Sequence, residues 1–371
     1  MIYLFLKASL IRLKYRFFPN KEQAFWAQEL FEAQGLGGKI GQLLGQGKKA
    51  SLPPSTISGS QIENLFNKEF SGSALKLSGQ NMAASMGQVF FGKWNSHAVA
   101  VKVLHPGIRT KIKKEIQNIL VLGHYFAKVK GFQFNKDVFQ KFLIEIFEEE
   151  TNLVRESDFQ EKFCLANLST KHFLIPKVFK EVSNQDFLTQ ERLDCILARD
   201  LKTIPHFDIF HFFFNNLFNH QLLHGDLNDR NWGINTEQKV VVYDFGCSKL
   251  ISKTHIMGLK NLLQNKDVKN AFAQFGVHLE KTTFSGREQE LRDKLFTSLL
   301  VEPISPILQY SAQLKKLLGT EVTQLRSSTD PWVLLFMRSL FSLIRIYQDR
   351  MINIPLKEIL IPYLEFKTNE V

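Results

Sequence analysis

The chain contains two neighbouring stretches that decide its fold, His224-Gly225-Asp226-Leu227-Asn228-Asp229-Arg230-Asn231 and Val240-Val241-Val242-Tyr243-Asp244-Phe245-Gly246. In the first, Asp226 and Asn231 are five positions apart. In the second, Asp244 directly follows an apolar run, which predicts a buried strand that ends just before this carboxylate. A buried strand holds such a side chain rigidly, as a metal ligand requires.

The residue types in these stretches suit a magnesium and phosphate site. Mg²⁺ prefers hard oxygen ligands, so the Asp244 carboxylate and the Asn231 amide oxygen, completed by phosphate oxygens, would hold it. Asp226 is then left to orient a hydroxyl group or a water molecule and to accept its proton. The order and spacing are those of a kinase catalytic loop followed by Asp-Phe-Gly. The alternative is a surface loop and a buried strand that carry aspartates without such a role.

Upstream, β-branched and aromatic runs predict two strands, Gln88–Trp94 and Ala98–Leu104. The small-residue turn Ala83-Ala84-Ser85-Met86-Gly87 precedes the first strand, and Lys102 lies in the second. This is the strand, loop and lysine order of a kinase N-lobe, although the turn has few glycines. Its backbone N–H groups can still face a phosphate. The alternative interpretation is that this segment is a turn without a phosphate-binding role and that Lys102 is a lysine of the strand without a ligand.

The segment from 112 to 168 has a helical pattern, and Glu156 within it is the predicted partner of Lys102. Residues 187–192 are predicted to form the strand that enters a hinge, with Glu191 near its end. An aromatic-rich helix is predicted over 207–223, and the pattern is helical throughout after Lys249.

The N-terminal part divides into three segments. Residues 1–18 are basic, aromatic and free of acids, which is typical of an interfacial helix, of a targeting segment or of a helix packed on its own domain. Residues 21–46 have a helical pattern with a glycine-rich break, and Lys39 and Gln42 would share a helix face beside Gly41. Residues 48–60 are rich in Ser, Pro, Gly and Lys, which predicts a linker.

The composition is that of a globular protein, with 44% hydrophobic and 22% charged residues in 371 positions. The formal net charge is +11, but the basic residues are scattered without interleaved aromatics, so we expect no nucleic-acid partner. The three cysteines have no metal-ligand spacing, which favours a reducing compartment. No apolar run reaches the ~18 residues that a membrane span requires.

The chain resembles the UbiB (AarF) family of atypical protein-kinase-like proteins, which are linked to ubiquinone and other isoprenoid-lipid metabolism. The resemblance runs from about residue 25 to residue 350. Three stretches carry it: Lys39-Ile40-Gly41-Gln42, the alanine-rich turn with its continuation Gln88-Val89, and Val99-Ala100-Val101-Lys102-Val103-Leu104-His105-Pro106-Gly107.

The resemblance implies that Lys39, Gly41 and Gln42 form a lid over the active site, together with a Glu-x-Asp motif. That motif aligns with Glu150-Thr151-Asn152, so an amide stands where the family has its second acid. A second departure is Leu227, since the family usually has proline after the catalytic aspartate. The resemblance also pairs Glu156 with Lys102.

We therefore expect an α+β, two-lobed protein-kinase-like fold with an N-terminal helical extension packed over the active site. The expected domains are the extension at 1–60, an N-lobe with inserted helices at 61–192 and a helical C-lobe at 193–371. Asp226, Lys102 and Glu156 are the expected catalytic residues, and Asn231 and Asp244 the metal ligands. The expected nucleotide contacts are Ala83, Ala84, Ser85, Met86, Gly87, Gln88, Lys102 and Glu191.

The expected function is that of an atypical kinase or ATPase that binds ATP or ADP with Mg²⁺ and acts slowly in quinone-lipid synthesis. Two alternatives remain open: a small-molecule kinase of the aminoglycoside or choline class, and a nucleotide-gated scaffold without catalysis. Expected partners are a membrane lipid or quinone precursor and lipid-biosynthesis proteins. Because only 38 residues precede Lys39, we expect no long organelle-targeting presequence. We expect a cytoplasmic protein at the inner face of a bacterial membrane.

Overall fold

The structure is a computed structural model that describes residues 57–83, 86–110, 151–282, 284–297 and 329–364, together with residues 116, 117, 120, 140, 144, 147–149 and 300. The strands in chain order are β1 Leu75–Ala83, β2 Gly87–Trp94, β3 His97–Leu104, β4 Phe173–Leu174, β5 Phe187–Glu191, β6 Ile196–Leu197, β7 Leu222–Leu223, β8 Trp232–Ile234, β9 Val240–Val242 and β10 Lys249–Leu250. The α-helices are α1 Gly59–Glu69, α2 Leu153–Ala166, α3 Asp208–His220, α4 Lys253–Gln264, α5 Val268–Phe275, α6 Glu288–Arg292, α7 Pro331–Gln348 and α8 Leu356–Leu364.

The chain divides into two compact units. The first comprises Met1–Ser157 with Val178–Arg192, and the second comprises Asp158–Lys177 with Leu193–Val371. The expected N-terminal extension, apart from its last residues, lies outside the described part of the chain. Within that part, no helix is long and apolar enough to cross a membrane.

The first unit is built on an antiparallel sheet of strand order β1-β2-β3-β5. Asn95 and Ser96 both have positive φ, as a two-residue hairpin turn between right-twisted strands requires, and they join β2 to β3. Helix α1 covers the sheet with buried Ile62 and Phe66. A capping box between Ser58 and Gln61 starts this helix, because each satisfies a backbone N–H of the other.

Three sequence expectations change in detail. The linker expected over 48–60 ends earlier, since Gly59 and Ser60 already belong to α1. Strand β1 is not among the elements that the sequence predicts, because Leu77 is followed by Ser78-Gly79-Gln80-Asn81 rather than by an apolar run. Its register with β2 shifts between Leu77 and Asn81. The helical pattern expected up to 168 is interrupted at Thr151 and Asn152, where a new helix begins.

The second unit has a large aromatic core around α3. This helix buries Phe210, Phe212, Phe213 and Phe214, because an aromatic-rich helix that is apolar on most faces is stable only when surrounded. It ends at His220 and is followed by β7, so the helix expected over 207–223 is shorter than its pattern. Helix α7 contributes further buried aromatics to the same core.

A small sheet of strand order β4-β9-β8-β6 supports the loops of interest in the second unit. Strand β9 is fully buried, as its run of three valines predicts. It pairs antiparallel with β8, with Trp232 opposite Val242. The two strands therefore bring the residue before Trp232 and the residues after Val242 to the same end of the hairpin.

Candidate functional site

Lys102 and Glu156 form a buried ion pair in the first unit. Lys102 lies in β3, opposite Val89 of β2 and Leu188 of β5, so it is held in the middle of the sheet. Its Nζ donates to Glu156 Oε1 at 2.7 Å and to Oε2 at 2.8 Å. The side chains are only 14% and 3% exposed, so water screens their attraction weakly. The pair fixes the position of the lysine ammonium.

Asn152 starts the helix that carries Glu156. Its Oδ1 accepts the backbone N–H of Arg155 at 2.9 Å, and its carbonyl accepts the N–H of Glu156 at 3.0 Å. This is the N-cap arrangement, in which asparagine serves as well as aspartate. The amide at this position therefore keeps the capping function while it removes a negative charge. The other expected lid residues, Lys39, Gly41, Gln42 and Glu150, lie outside the described residues.

The described residues of the small-residue turn lie at the end of β1, in a buried cluster and at the start of β2. Ala83 ends β1, Ala84 and Ser85 are outside the described residues, and Gly87 begins β2. The Met86 side chain is buried beside Leu104 and Ile108, and its carbonyl accepts the His105 N–H at 3.0 Å.

Gln88 and Glu191 are the remaining expected nucleotide contacts. Gln88 is fully buried, and its Oε1 accepts the backbone N–H of Ile57 at 3.0 Å. This amide oxygen thus ties the chain before α1 to the sheet, a task that was not expected from the sequence. Glu191 is the last residue of β5 and lies opposite Val99.

His224 anchors the loop of residues 224–231 in the second unit. Its Nε2 lies 2.9 Å from the carbonyl oxygen of Tyr243, and its ring packs against Phe163 and Phe245. Nε2 therefore carries the proton that is donated to this carbonyl. Burial lowers the pKa of His224, because the charged imidazolium would lose its hydration. The neutral ring links the loop to the residue that precedes Asp244.

Asp226 lies in a polar cluster at the start of this loop. Its side chain is 6% exposed, and its Oδ1 accepts from Arg338 Nη2 at 2.7 Å. Asn228 Nδ2 donates to the same oxygen at 3.0 Å. Gly225 before it has φ of +71°, and a Cβ there would lie 2.3 Å from the carbonyl oxygen of Cys247. Only glycine fits this tight turn.

Asn231 is oriented by two backbone hydrogen bonds. Its Nδ2 donates to the carbonyl of Asp226 at 2.9 Å, and its own carbonyl accepts the N–H of Tyr243 at 2.8 Å. The side-chain nitrogen is thereby committed to the loop, so the amide oxygen is the atom suited to a cation.

Asp244 follows Tyr243 with φ of +57°, in the left-handed region that few non-glycine residues adopt. The backbone there is strained, and strain of this kind is common at functional sites.

Within the second unit, the structure thus joins Asp226 to Asn231 and brings Asn231 next to the residue before Asp244. In the first unit, it joins Lys102 to Glu156. Sequence reasoning missed Arg338 and its neighbour Ser339, whose Oγ accepts the N–H of Leu227 at 3.4 Å. Both lie in α7, more than a hundred positions after the loop, and no motif in that apolar helix points to Asp226.

A solved structure with a similar fold is that of Rv3197 from Mycobacterium tuberculosis, determined in complex with erythromycin. It covers 82% of this chain and 82% of its own, with a TM-score of 0.61 and 17% sequence identity. This likeness confirms a mixed α+β, kinase-like fold.

Two curated relatives come from Arabidopsis thaliana, the chloroplastic proteins Activity of BC1 complex kinase 7 and kinase 8. The first is 23% identical over 208 residues, which are 50% of this chain and 29% of that protein. The second is 23% identical over 196 residues, which are 48% of this chain and 25% of that protein. This chain therefore matches less than a third of the length of either relative.

Residues 57–272 match the family described as the ABC1 atypical kinase-like domain. The matched region is more than half of the chain and includes Lys102, Glu156, Asp226, Asn231 and Asp244, but not Arg338 or Ser339. The match agrees with the resemblance to UbiB proteins that the sequence motifs indicate. This chain belongs to the ABC1 (UbiB/AarF) family of atypical kinase-like proteins.

Proposed function

We propose that this protein binds ATP or ADP with Mg²⁺ and slowly hydrolyses the γ-phosphate or transfers it to an acceptor. The observation that carries the proposal is the orientation of Asn231. Its amide nitrogen donates to the Asp226 carbonyl, and this leaves the amide oxygen for a cation. Membership of a kinase-like family supports nucleotide binding in general.

The donor set fits Mg²⁺ better than a metal that takes all its ligands from protein. Among the described residues, no group of three or more His, Cys, Asp or Glu side chains is arranged to hold a metal ion. Mg²⁺ keeps waters and phosphate oxygens as ligands, so one carboxylate and one amide oxygen suffice. Asp244 and Asn231 would hold the ion, which supplies positive charge against the phosphate oxygens when it is bound.

The remaining roles follow from the side chains themselves. Asp226 would orient the attacking hydroxyl group or water and accept its proton. Lys102, fixed by Glu156, would hold phosphate oxygens by charge and hydrogen bonding. The backbone N–H groups of Ala83 to Gly87 would add neutral donors, and Glu191 would contact the base end of the nucleotide.

A thermal-shift titration tests this function. Wild-type protein should gain stability with rising Mg-ATP or Mg-ADP, because a ligand that binds only the folded state stabilises it. EDTA should abolish this gain in stability because it removes the metal ion. The variant Asp244→Asn should abolish it because it removes the carboxylate that would hold the ion. Asp200→Asn is the matched control, because Asp200 is an exposed carboxylate of the same unit that pairs with Arg199.

The outcomes separate the three functions considered from the sequence. A shift that survives in Asp244→Asn would contradict the assigned metal ligands, and no shift in wild type would contradict nucleotide binding altogether. Binding without hydrolysis would favour a nucleotide-gated scaffold. Rapid transfer to a soluble alcohol would favour a small-molecule kinase.

The proposal extends to quinone or other isoprenoid-lipid metabolism at a membrane surface, on the basis of the family resemblance. Residues 1–18, with four basic side chains and no acid, are the proposed contact with anionic lipid. Flotation with anionic liposomes should recover the full chain at low salt, and removal of residues 1–18 should abolish recovery. Equal flotation of the truncated protein would contradict this contact.

A further inference from the structure

An arginine from the C-terminal part of the second unit lies directly on the proposed catalytic carboxylate. Arg338 belongs to α7, which begins at Pro331, beyond the end of the family match at residue 272. Its Nη2 is 2.7 Å from Asp226 Oδ1, and the two side chains are 23% and 6% exposed. This is the geometry of a strong, charge-assisted hydrogen bond.

The next residue of the same helix holds the next residue of the loop. Ser339 is fully buried, and its Oγ accepts the backbone N–H of Leu227 at 3.4 Å. Two consecutive residues of α7 therefore contact two consecutive residues of the catalytic loop.

Helix α7 is itself firmly held. Its N-terminus has proline in the first turn, and its buried face includes Trp332, Phe336, Leu340, Leu343 and Tyr347. A side chain on such an element is positioned more accurately than one on a loop.

The contacts at Asp226 explain why a fixed cation is needed there. A carboxylate that is almost fully buried loses its hydration, and a partner of opposite charge offsets that cost. Asn228 and Arg338 donate to the same oxygen, Oδ1, from two different elements. Together they restrict rotation of the carboxylate, which determines the direction in which it can accept a proton.

We propose that Arg338 is a positioning residue for phosphoryl transfer, which holds the Asp226 carboxylate in one orientation and balances its charge. This inference rests on the proposed function. It predicts that the C-terminal helix, which lies outside the matched family domain, is part of the catalytic apparatus of this chain. Nucleotide binding should depend on Arg338 much less than turnover does.

The test compares ATP hydrolysis and nucleotide affinity in Arg338→Ala, Arg338→Lys and wild type. Arg338→Ala should lower kcat by about 10- to 100-fold, as expected when a catalytic group is misplaced. The nucleotide Kd should change little, and guanidinium ion at low, non-denaturing concentration should restore part of kcat. Arg338→Lys, which keeps the charge, should retain more activity than Arg338→Ala. Arg345→Ala is the matched control, because Arg345 is on the same helix but pairs with Asp349 at the surface.

A double-mutant cycle with Asp226→Asn covers the case in which Arg338→Ala is poorly folded. If Arg338 acts through Asp226, adding Arg338→Lys to Asp226→Asn should cause no further loss of kcat. Additive losses, unchanged turnover in Arg338→Ala or an absence of guanidinium rescue would overturn the inference. Increased turnover would overturn it in favour of an inhibitory contact. If wild type neither binds nor hydrolyses nucleotide, the proposed function fails first, and this inference fails with it.

Discussion

Gly87 lies so close to Val103 that a Cβ at position 87 would stand 2.0 Å from the Val103 carbonyl oxygen. The two residues are on neighbouring strands, where β2 leaves the small-residue turn and β3 ends. Real Cβ atoms do not approach backbone oxygen so closely, and neither strand can move without disturbing the sheet. The absence of a side chain at Gly87 therefore allows β2 and β3 to pair up to the turn.

Gly87→Ala should lower the free energy of unfolding by about 1–3 kcal/mol, because the new methyl group overpacks a rigid contact. Urea denaturation of the wild type and the variant measures the difference. Gly59→Ala is the control, since a Cβ there meets only Leu77 Cδ1 at 3.6 Å in ordinary contact. Similar stability of both variants would show that the strands can separate at Gly87.

Asn152→Ala should destabilise the protein by about 1 kcal/mol, because the Arg155 N–H loses its capping acceptor. Asn152→Asp should retain most of the wild-type stability, since aspartate caps helices equally well. Asn152 is exposed, so neither substitution disturbs packing. Chemical denaturation distinguishes the two variants, and an equal loss in both would show that the amide acts other than as a cap.

Lys102→Met should cost about 3–5 kcal/mol of stability, because Glu156 is left buried without the ammonium that balances its charge. The double variant Lys102→Met/Glu156→Leu should cost less than the sum of the two single changes. A double-mutant cycle of unfolding free energies gives the coupling directly. Coupling close to zero would mean that the pair contributes nothing to the stability of the first unit.

Stability should fall as the pH drops below about 6.5, in part because burial lowers the pKa of His224. In this window the unfolded chain binds a proton that the folded chain does not bind, so acid favours unfolding. Unfolding free energies measured in EDTA between pH 5 and 7.5 should therefore decline less steeply for His224→Gln than for wild type. His211 and His220, whose pKa values burial also lowers, should retain part of the slope. Identical slopes would contradict a neutral, buried His224.

The sequence by itself determined the elements whose signals are local. The valine run before Asp244 became a fully buried strand, because continuous apolar residues leave no exposed face. The strand containing Lys102 is predicted in the same way from β-branched and aromatic residues. The strand predicted over 187–192 is observed over Phe187–Glu191. Asp226, Asn231 and Asp244 can likewise be recognised from the sequence, because they lie at short, fixed spacings within one loop and just after the strand that follows it.

The tertiary structure decided the features that depend on distant partners. Beyond Leu77, strand β1 continues through Ser78-Gly79-Gln80-Asn81, and its pairing with β2 makes this segment a strand. The sequence predicts a nucleotide contact for Gln88, and only the fold brings the backbone N–H of Ile57 to its side-chain oxygen. Arg338 meets Asp226 across 112 positions of sequence, because α7 packs with its aromatic face in the core of the second unit. No local sequence pattern encodes this contact. The position of an arginine in an apolar helix specifies the helix face on which it lies, but not which carboxylate that face will contact.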